Sequence, residues 1–233
     1  MKIKVCGLND PANIEALVHL PIDFIGFIFY KKSPRYIKQS PQPPEGGSES
    51  GSPPSGDLGG ILPPSVGRRG LKLVGVFVNA AVEEILNKVH DYELDYVQLH
   101  GEESPEYCRE IQSFWAASTV RQARFIKAFA VDADFDFGQT RAYEGVCSLF
   151  LFDTKTPQHG GSGVRFDWDL LEQYKGNTPF LLSGGIGEED AAAIRALDFP
   201  QLYGVDVNSR FEVKPGFKDV EKIKRFLESC RAT

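Results

Sequence analysis

Eight short apolar runs, spaced along the chain with helix-forming segments between most of them, constrain this protein more than any other feature. They are IKVCG (3–7), FIGFIF (24–29), LKLVGVFV (71–78), YVQLH (96–100), RFIKAFA (124–130), SLFLFD (148–153), FLLSG (180–184) and LYGVDV (202–207). Most are continuously apolar, so both faces must be buried, as in a parallel sheet covered by helices. Between them, NIEALVHL (13–20), AVEEILNKVHDY (81–92), SPEYCREIQSF (104–114), DWDLLEQY (167–174), EEDAAAIRAL (188–197) and KDVEKIKRFLESC (218–230) carry the apolar spacing of amphipathic helices. Asp10-Pro11 and Ser104-Pro105 read as N-caps followed by proline at the first helical position. Eight such units predict an α/β fold, a closed (β/α)8 TIM barrel forming a single domain over 1–233. The stretch 132–144 makes a poor helix. The alternative, an open doubly wound sheet, lacks a GxGxxG after its first strand.

One stretch breaks the pattern. Of the 31 residues from Ser40 to Gly70, 21 are Gly, Pro or Ser, too few apolar groups remaining to offset the entropy of ordering the chain. It reads as a low-complexity loop insertion (40–70) after the second strand, where the second helix of a barrel would fall. The 39 residues before it are too few to fold alone, which argues against a linker between two domains.

Charge and composition exclude several classes. The formal net charge is −6 with no Lys/Arg cluster, so no nucleic-acid partner is expected. No apolar run approaches the ~18 residues that would span a bilayer, so no membrane partner is expected. MKIKVCGLND lacks the apolar core of a secretory signal, and the cytoplasm is the expected location. Cys6, Cys108, Cys147 and Cys230 form no CxxC pair, and the four histidines show no HExxH spacing, so no metal site is expected.

In a β/α barrel, chemistry belongs at the C-terminal ends of the strands. Those positions hold Cys6, Arg35 in the loop after the second strand, His100, Asp153, Ser183-Gly184-Gly185 and Asp206-Val207-Asn208-Ser209. Strand parity places Lys4 and Cys6 on one face and Ile3 and Val5 on the other; the apolar pair should face the helices. By the same rule Asp153 shares the interior face with Leu151 and Leu149. A thiol and a carboxyl would then flank the mouth, as a separate base and acid require. Lys127 reads as a lysine paired with an acid, in preference to a Schiff-base lysine. Gly161, Ser162 and Gly163 after the sixth strand, with the Ser183–Gly185 loop after the seventh, supply backbone N–H groups suited to a phosphate. A phosphorylated small-molecule substrate follows.

The set KVCGL, GFIFYKKSPRYI, VGVFVN, VQLHGEE, FDTKTPQHGGSGVRFDW, LLSGGI and GVDVNSRFEVKPGFKD resembles the phosphoribosylanthranilate isomerase family of tryptophan biosynthesis, in order and over almost the whole chain outside 40–70. The resemblance implies a (β/α)8 barrel, an Amadori rearrangement, no metal and no organic cofactor. It implies Cys6 as general base and Asp153 as general acid. It implies Arg35 as the residue holding the anthranilate carboxylate, Asp206 near the same end, His100 lining the site, and Gly161–Gly163 with Ser183–Gly185 as the phosphate cradle, joined by Asn208 and Ser209. A monomer or homodimer is expected. The chain departs from the family pattern VDVSSGVE, reading VDVNSRFE, with Asn208 and Arg210 replacing Ser and Gly.

Two rival readings remain. The sister isomerase of histidine biosynthesis, or a bifunctional barrel serving both pathways, uses a carboxylate at the end of the first strand, where this chain has Cys6, and carries a second phosphate-binding half. A noncatalytic phosphoribosyl-ligand sensor on the same fold would have no need for both Cys6 and Asp153.

Overall fold

The computed structural model describes residues 1–37, 70–117, 121–155 and 165–231. Eight parallel strands close on themselves: β1 (Lys2–Cys6), β2 (Phe24–Ile28), β3 (Lys72–Phe77), β4 (Tyr96–Leu99), β5 (Arg124–Val131), β6 (Leu149–Thr154), β7 (Phe180–Leu182) and β8 (Leu202–Val207). Closure is made by β1 against β8, in the register Lys2↔Gly204 and Lys4↔Asp206. All eight expected strands are present. The insertion expected at 40–70 lies outside the described residues except for Gly70.

The helices are α1 (Pro11–Val18), α2 (Val82–Asp91), α3 (Pro105–Ala116), α4 (Ala191–Arg195) and α5 (Val220–Arg231). Both expected caps form: Asp10 accepts from the Asn13 amide at 2.9 Å and Ser104 from that of Tyr107 at 3.2 Å, each ahead of a proline with no N–H to satisfy. The helix expected at 167–174 is instead a 3₁₀ helix over Trp168–Gln173. Its buried residues, Trp168, Leu171 and Tyr174, recur every third position, which matches three residues per turn. The segment 188–197 divides into a 3₁₀ turn (Glu188–Asp190) and the short α4. In the stretch read as a poor helix, Phe137–Tyr143 is a 3₁₀ helix.

Side chains separate into two layers. Phe24, Val74, Tyr96, Ile126, Ala128, Leu149, Leu151 and Leu181 fill the barrel, and Ile3 and Val5 join the larger apolar layer beneath the helices. A feature absent from the expectations follows β8: a hairpin of β9 (Glu212–Lys214) and β10 (Phe217–Lys218). The Pro215-Gly216 pair between its strands is the turn signal that marks it. Among the described residues no helix is long and apolar enough to cross a membrane.

Candidate active site

The interior turns from apolar to polar at the C-terminal end of the strands. Cys6 ends β1, Asp153 lies one residue from the end of β6, and β1 and β6 are not neighbours in the barrel. The two groups therefore face the mouth from different sides, as parity predicts.

On the β1 side the charges are buried and paired. Lys4 is fully buried and its Nζ donates to Asp206 Oδ1 at 2.7 Å, a contact that the β1–β8 register makes inevitable. Ser183 Oγ donates to the other Asp206 oxygen at 3.3 Å. Asp206 is thus tied to β1 by Lys4 and to the end of β7 by Ser183. Burial opposes the Lys4 charge, but Asp206 and the Cys6 thiol outweigh it and raise its pKa. Burial pushes the Cys6 pKa up, Lys4 pulls it down and Asp206 pushes it up again, leaving it above the ordinary thiol value. The Lys4 charge that would favour a thiolate is shared with Asp206.

Arg35 stretches over the end of β1. Its Cδ would lie 2.7 Å from a Cβ at residue 7, so Gly7, which also has φ +77°, is the residue that allows this path. Glu212 takes one edge of the guanidinium: Nε donates to Oε1 at 2.9 Å and Nη2 to Oε2 at 2.7 Å. Lys218 Nζ donates to Glu212 Oε1 and to Asn208 Oδ1, both at 2.7 Å. Burial pushes the Lys218 pKa down to about 8 against the pull of Glu212. Burial likewise works against the Glu212 carboxylate, but Arg35 and Lys218 outweigh it and lower its pKa. A guanidinium has a second donor edge, so Arg35 held in this way still has Nη1 and the second Nη2 proton to offer a carboxylate.

The β6 side is sparser. His100 Nε2 lies 3.3 Å from Asp153 Oδ2, and the backbone N–H of Thr154 donates to Asp153 Oδ1 at 2.9 Å. His100 Nδ1 lies 3.0 Å from the amide nitrogen of the buried Gln98. Beneath His100, Lys127 donates to the Gly101 carbonyl at 2.6 Å and pairs with Glu103 at 3.1 Å, which fixes the exit of β4. Lys127 is therefore the acid-paired lysine of the sequence reading.

Of the expected site residues, Cys6, Arg35, His100, Asp153, Ser183, Gly184, Gly185, Asp206, Asn208 and Ser209 lie at the ends of strands or in the loops that leave them on one face of the barrel. Gly161, Ser162 and Gly163 lie outside the described residues. Gln98, Glu212 and Lys218 join these residues without a sequence signal of their own. Glu212 and Lys218 stand inside the motif RFEVKPGFKD, but only the hairpin brings Glu212 onto Arg35 and Lys218 onto Glu212. The described residues hold no cluster of three or more His, Cys, Asp or Glu able to bind a metal.

The sequence model of the family described as N-(5'phosphoribosyl)anthranilate (PRA) isomerase matches residues 65–229. The chain belongs to that family. A phosphoribosylanthranilate isomerase of Parabacteroides distasonis is 46% identical over 229 residues, covering 98% of this chain and 92% of that relative. The crystal structure of the Thermotoga maritima isomerase superposes with a TM-score of 0.74 at 34% identity, over 99% of this chain and 98% of the other. A further isomerase structure, in complex with reduced 1-(o-carboxyphenylamino)-1-deoxyribulose 5-phosphate, superposes with a TM-score of 0.71 at 31% identity, over 99% and 98% of the two chains. Membership of the phosphoribosylanthranilate isomerases sets this chain apart from the histidine-pathway sister. Cys6, in place of a carboxylate at the end of β1, agrees with it.

Proposed function

We propose that this isomerase converts N-(5'-phosphoribosyl)anthranilate to 1-(2-carboxyphenylamino)-1-deoxyribulose 5-phosphate with Asp153 as general acid and Cys6 as general base. The observation that carries the assignment is the placement of one thiol and one carboxyl at the C-terminal ends of two non-adjacent strands, with the mouth between them. A proton from Asp153 to the ribose ring oxygen lets the C1'–O bond break while the anthranilate nitrogen lone pair forms the iminium. The iminium makes the C2' proton acidic, and Cys6 removes it to give the enolamine. That species gains a proton at C1' and loses one from its C2' hydroxyl, so the ketone forms with no net change in atoms.

The anionic ends of the substrate have separate supports. The outer edge of Arg35 fits the anthranilate carboxylate by a two-pronged hydrogen bond. The phosphate falls to the amides of the loop after β7, with Asn208 and Ser209 at the adjoining β8 exit and Gly161–Gly163 from the loop after β6. A Cβ at Gly184 would stand 2.6 Å from the Thr154 nitrogen and 3.0 Å from Asp153 Oδ1, so the loop can approach the acid only as glycine.

The test is loss of anthranilate-type fluorescence when the protein is added to freshly made substrate. Turnover of the histidine-pathway substrate at a similar rate would refute a single activity, and binding without turnover would refute the acid–base assignment.

A further inference from the structure

Arg210 follows β8, and its side chain reaches the loop that follows β7. In that loop the Ser183 N–H is taken by the Phe152 carbonyl at 2.8 Å and the Gly187 N–H by Asp190 Oδ2 at 2.8 Å. The N–H groups of Gly184, Gly185 and Ile186 donate to no acceptor among the described residues. Gly184 and Gly185 have φ of +89° and +63°, a backbone path that glycine allows, and unpaired amides in such a turn are available to an anion.

Arg210 grips this loop from outside. Its Nη1 donates to the Gly185 carbonyl at 3.0 Å and its Nη2 to Glu189. Asp190, 4.0 Å from Arg210, is paired with Arg165 at 2.6 Å. The carbonyl and the following N–H of a trans peptide point in opposite directions. Holding the Gly185 oxygen outward therefore aims the Ile186 N–H inward. Gly185 on its N-terminal side eases rotation of the Gly185–Ile186 peptide, and a flipped peptide would present its oxygen to an anion.

We propose that Arg210 is a positioning residue for the phosphate: by fixing the Gly185–Ile186 peptide with its N–H toward the cradle, it sets the affinity of this isomerase for phosphorylated substrate. The inference rests on the reading that the loop after β7 holds the phosphate.

Arg210→Ala tests it with three ligands: the substrate, inorganic phosphate as a competitive inhibitor, and anthranilate as the fragment without phosphate. KM is expected to rise, and phosphate inhibition to weaken, by about tenfold, the scale of one charge-assisted hydrogen bond. Turnover number and anthranilate inhibition should stay within about twofold by the same reasoning, because neither uses the cradle. The variant also leaves Glu189 unpaired, so Arg210→Ala/Glu189→Gln separates clamp from charge: the defect should persist. Recovery in that double variant, an unchanged KM in the single one, or equal weakening of phosphate and anthranilate would each overturn the proposal. Gly184→Asp distinguishes failure of the underlying reading. If phosphate inhibition survives it, the phosphate is not held at this loop at all. If it abolishes inhibition while Arg210→Ala does nothing, only the clamp is wrong.

Discussion

The two sides of the mouth solve different electrostatic problems. Around Cys6, the pairs Lys4–Asp206 and Arg35–Glu212–Lys218 are buried, and every named charge has an opposite partner within 3 Å. Around Asp153 the carboxyl has one backbone amide and a histidine at 3.3 Å, and the His100 and Asp153 side chains retain 24% and 18% of their exposure. A buried thiol beside fixed charges is shielded from solvent protons and tuned by its neighbours. A half-open carboxyl stands where it can exchange a proton with solvent. The contrast teaches that the thiol and the carboxyl are placed alike by the barrel, at strand ends, but supported asymmetrically by what surrounds them.

The sharpest test of that contrast removes the two groups themselves. Cys6→Ala and Asp153→Asn should each lower kcat by ~10²–10⁴, the usual contribution of a positioned acid or base, with much smaller changes in KM. Steady-state fluorescence decay measures both. Cys6→Ser should be nearly as poor as Cys6→Ala, because a hydroxyl is a far weaker base than a thiolate. Near-normal kcat in Cys6→Ser would move the base elsewhere, His100 first.

The next effect falls on stability and belongs to the β1 side alone. Lys4→Met leaves the Asp206 charge buried beside an apolar group and should cost about 3–5 kcal/mol in urea unfolding. Lys4→Met/Asp206→Leu should recover most of the loss, since removing both charges of a buried pair is often neutral. A histidine-to-glutamine change at His100, on the open side, should cost under about 1 kcal/mol, as is usual for a part-exposed pair. Equal losses from the two sides would erase the distinction.

Arg35→Lys tests whether the buried network also serves binding. A lysine cannot hold Glu212 and a substrate carboxylate in two forks at once. Substrate affinity should fall by ~1.5–3 kcal/mol, read as KM against kcat. Unchanged values for both would remove Arg35 from the site.

A milder effect is expected in the pH profile. In the proposed mechanism the base acts as thiolate, and the thiolate fraction grows as pH rises through the Cys6 pKa. Burial places that pKa above the ordinary thiol value, so kcat/KM of the free enzyme should still be climbing at pH values where an exposed cysteine has already ionised. A plateau reached below neutrality would show that Lys4 outweighs burial. The smallest effect is expected from shortening 40–70 to a few residues. Its composition supplies little core, and loop closure changes by only ~0.6 kcal/mol per doubling of length, so turnover should stay within several-fold. Collapse of folding would instead show that Leu58, Ile61, Leu62 or Val66 docks on the barrel.

The barrel was legible because its signal is local and repeated. Each strand is a short apolar run, and parity within it, as for Lys4 and Cys6 against Ile3 and Val5, depends only on the two-residue period of an extended chain. Caps such as Asp10-Pro11 are read the same way, from neighbours three residues apart. The segment 167–174 misled because three-residue and 3.6-residue periods differ little over six residues, and burial of Trp168, Leu171 and Tyr174 selected the former.

By itself the sequence determined the order of β and α units, the faces of the strands and the reactive residues at their ends, since all three follow from spacing along the chain. Only the tertiary structure decided who pairs with whom. Lys4 meets Asp206 across 202 residues because closure places β8 beside β1, and Glu212 meets Arg35 across 177 because the hairpin after β8 folds back over the mouth. Those pairings set the thiol's electrostatics and orient the guanidinium. They depend on distances through space, which no local period encodes.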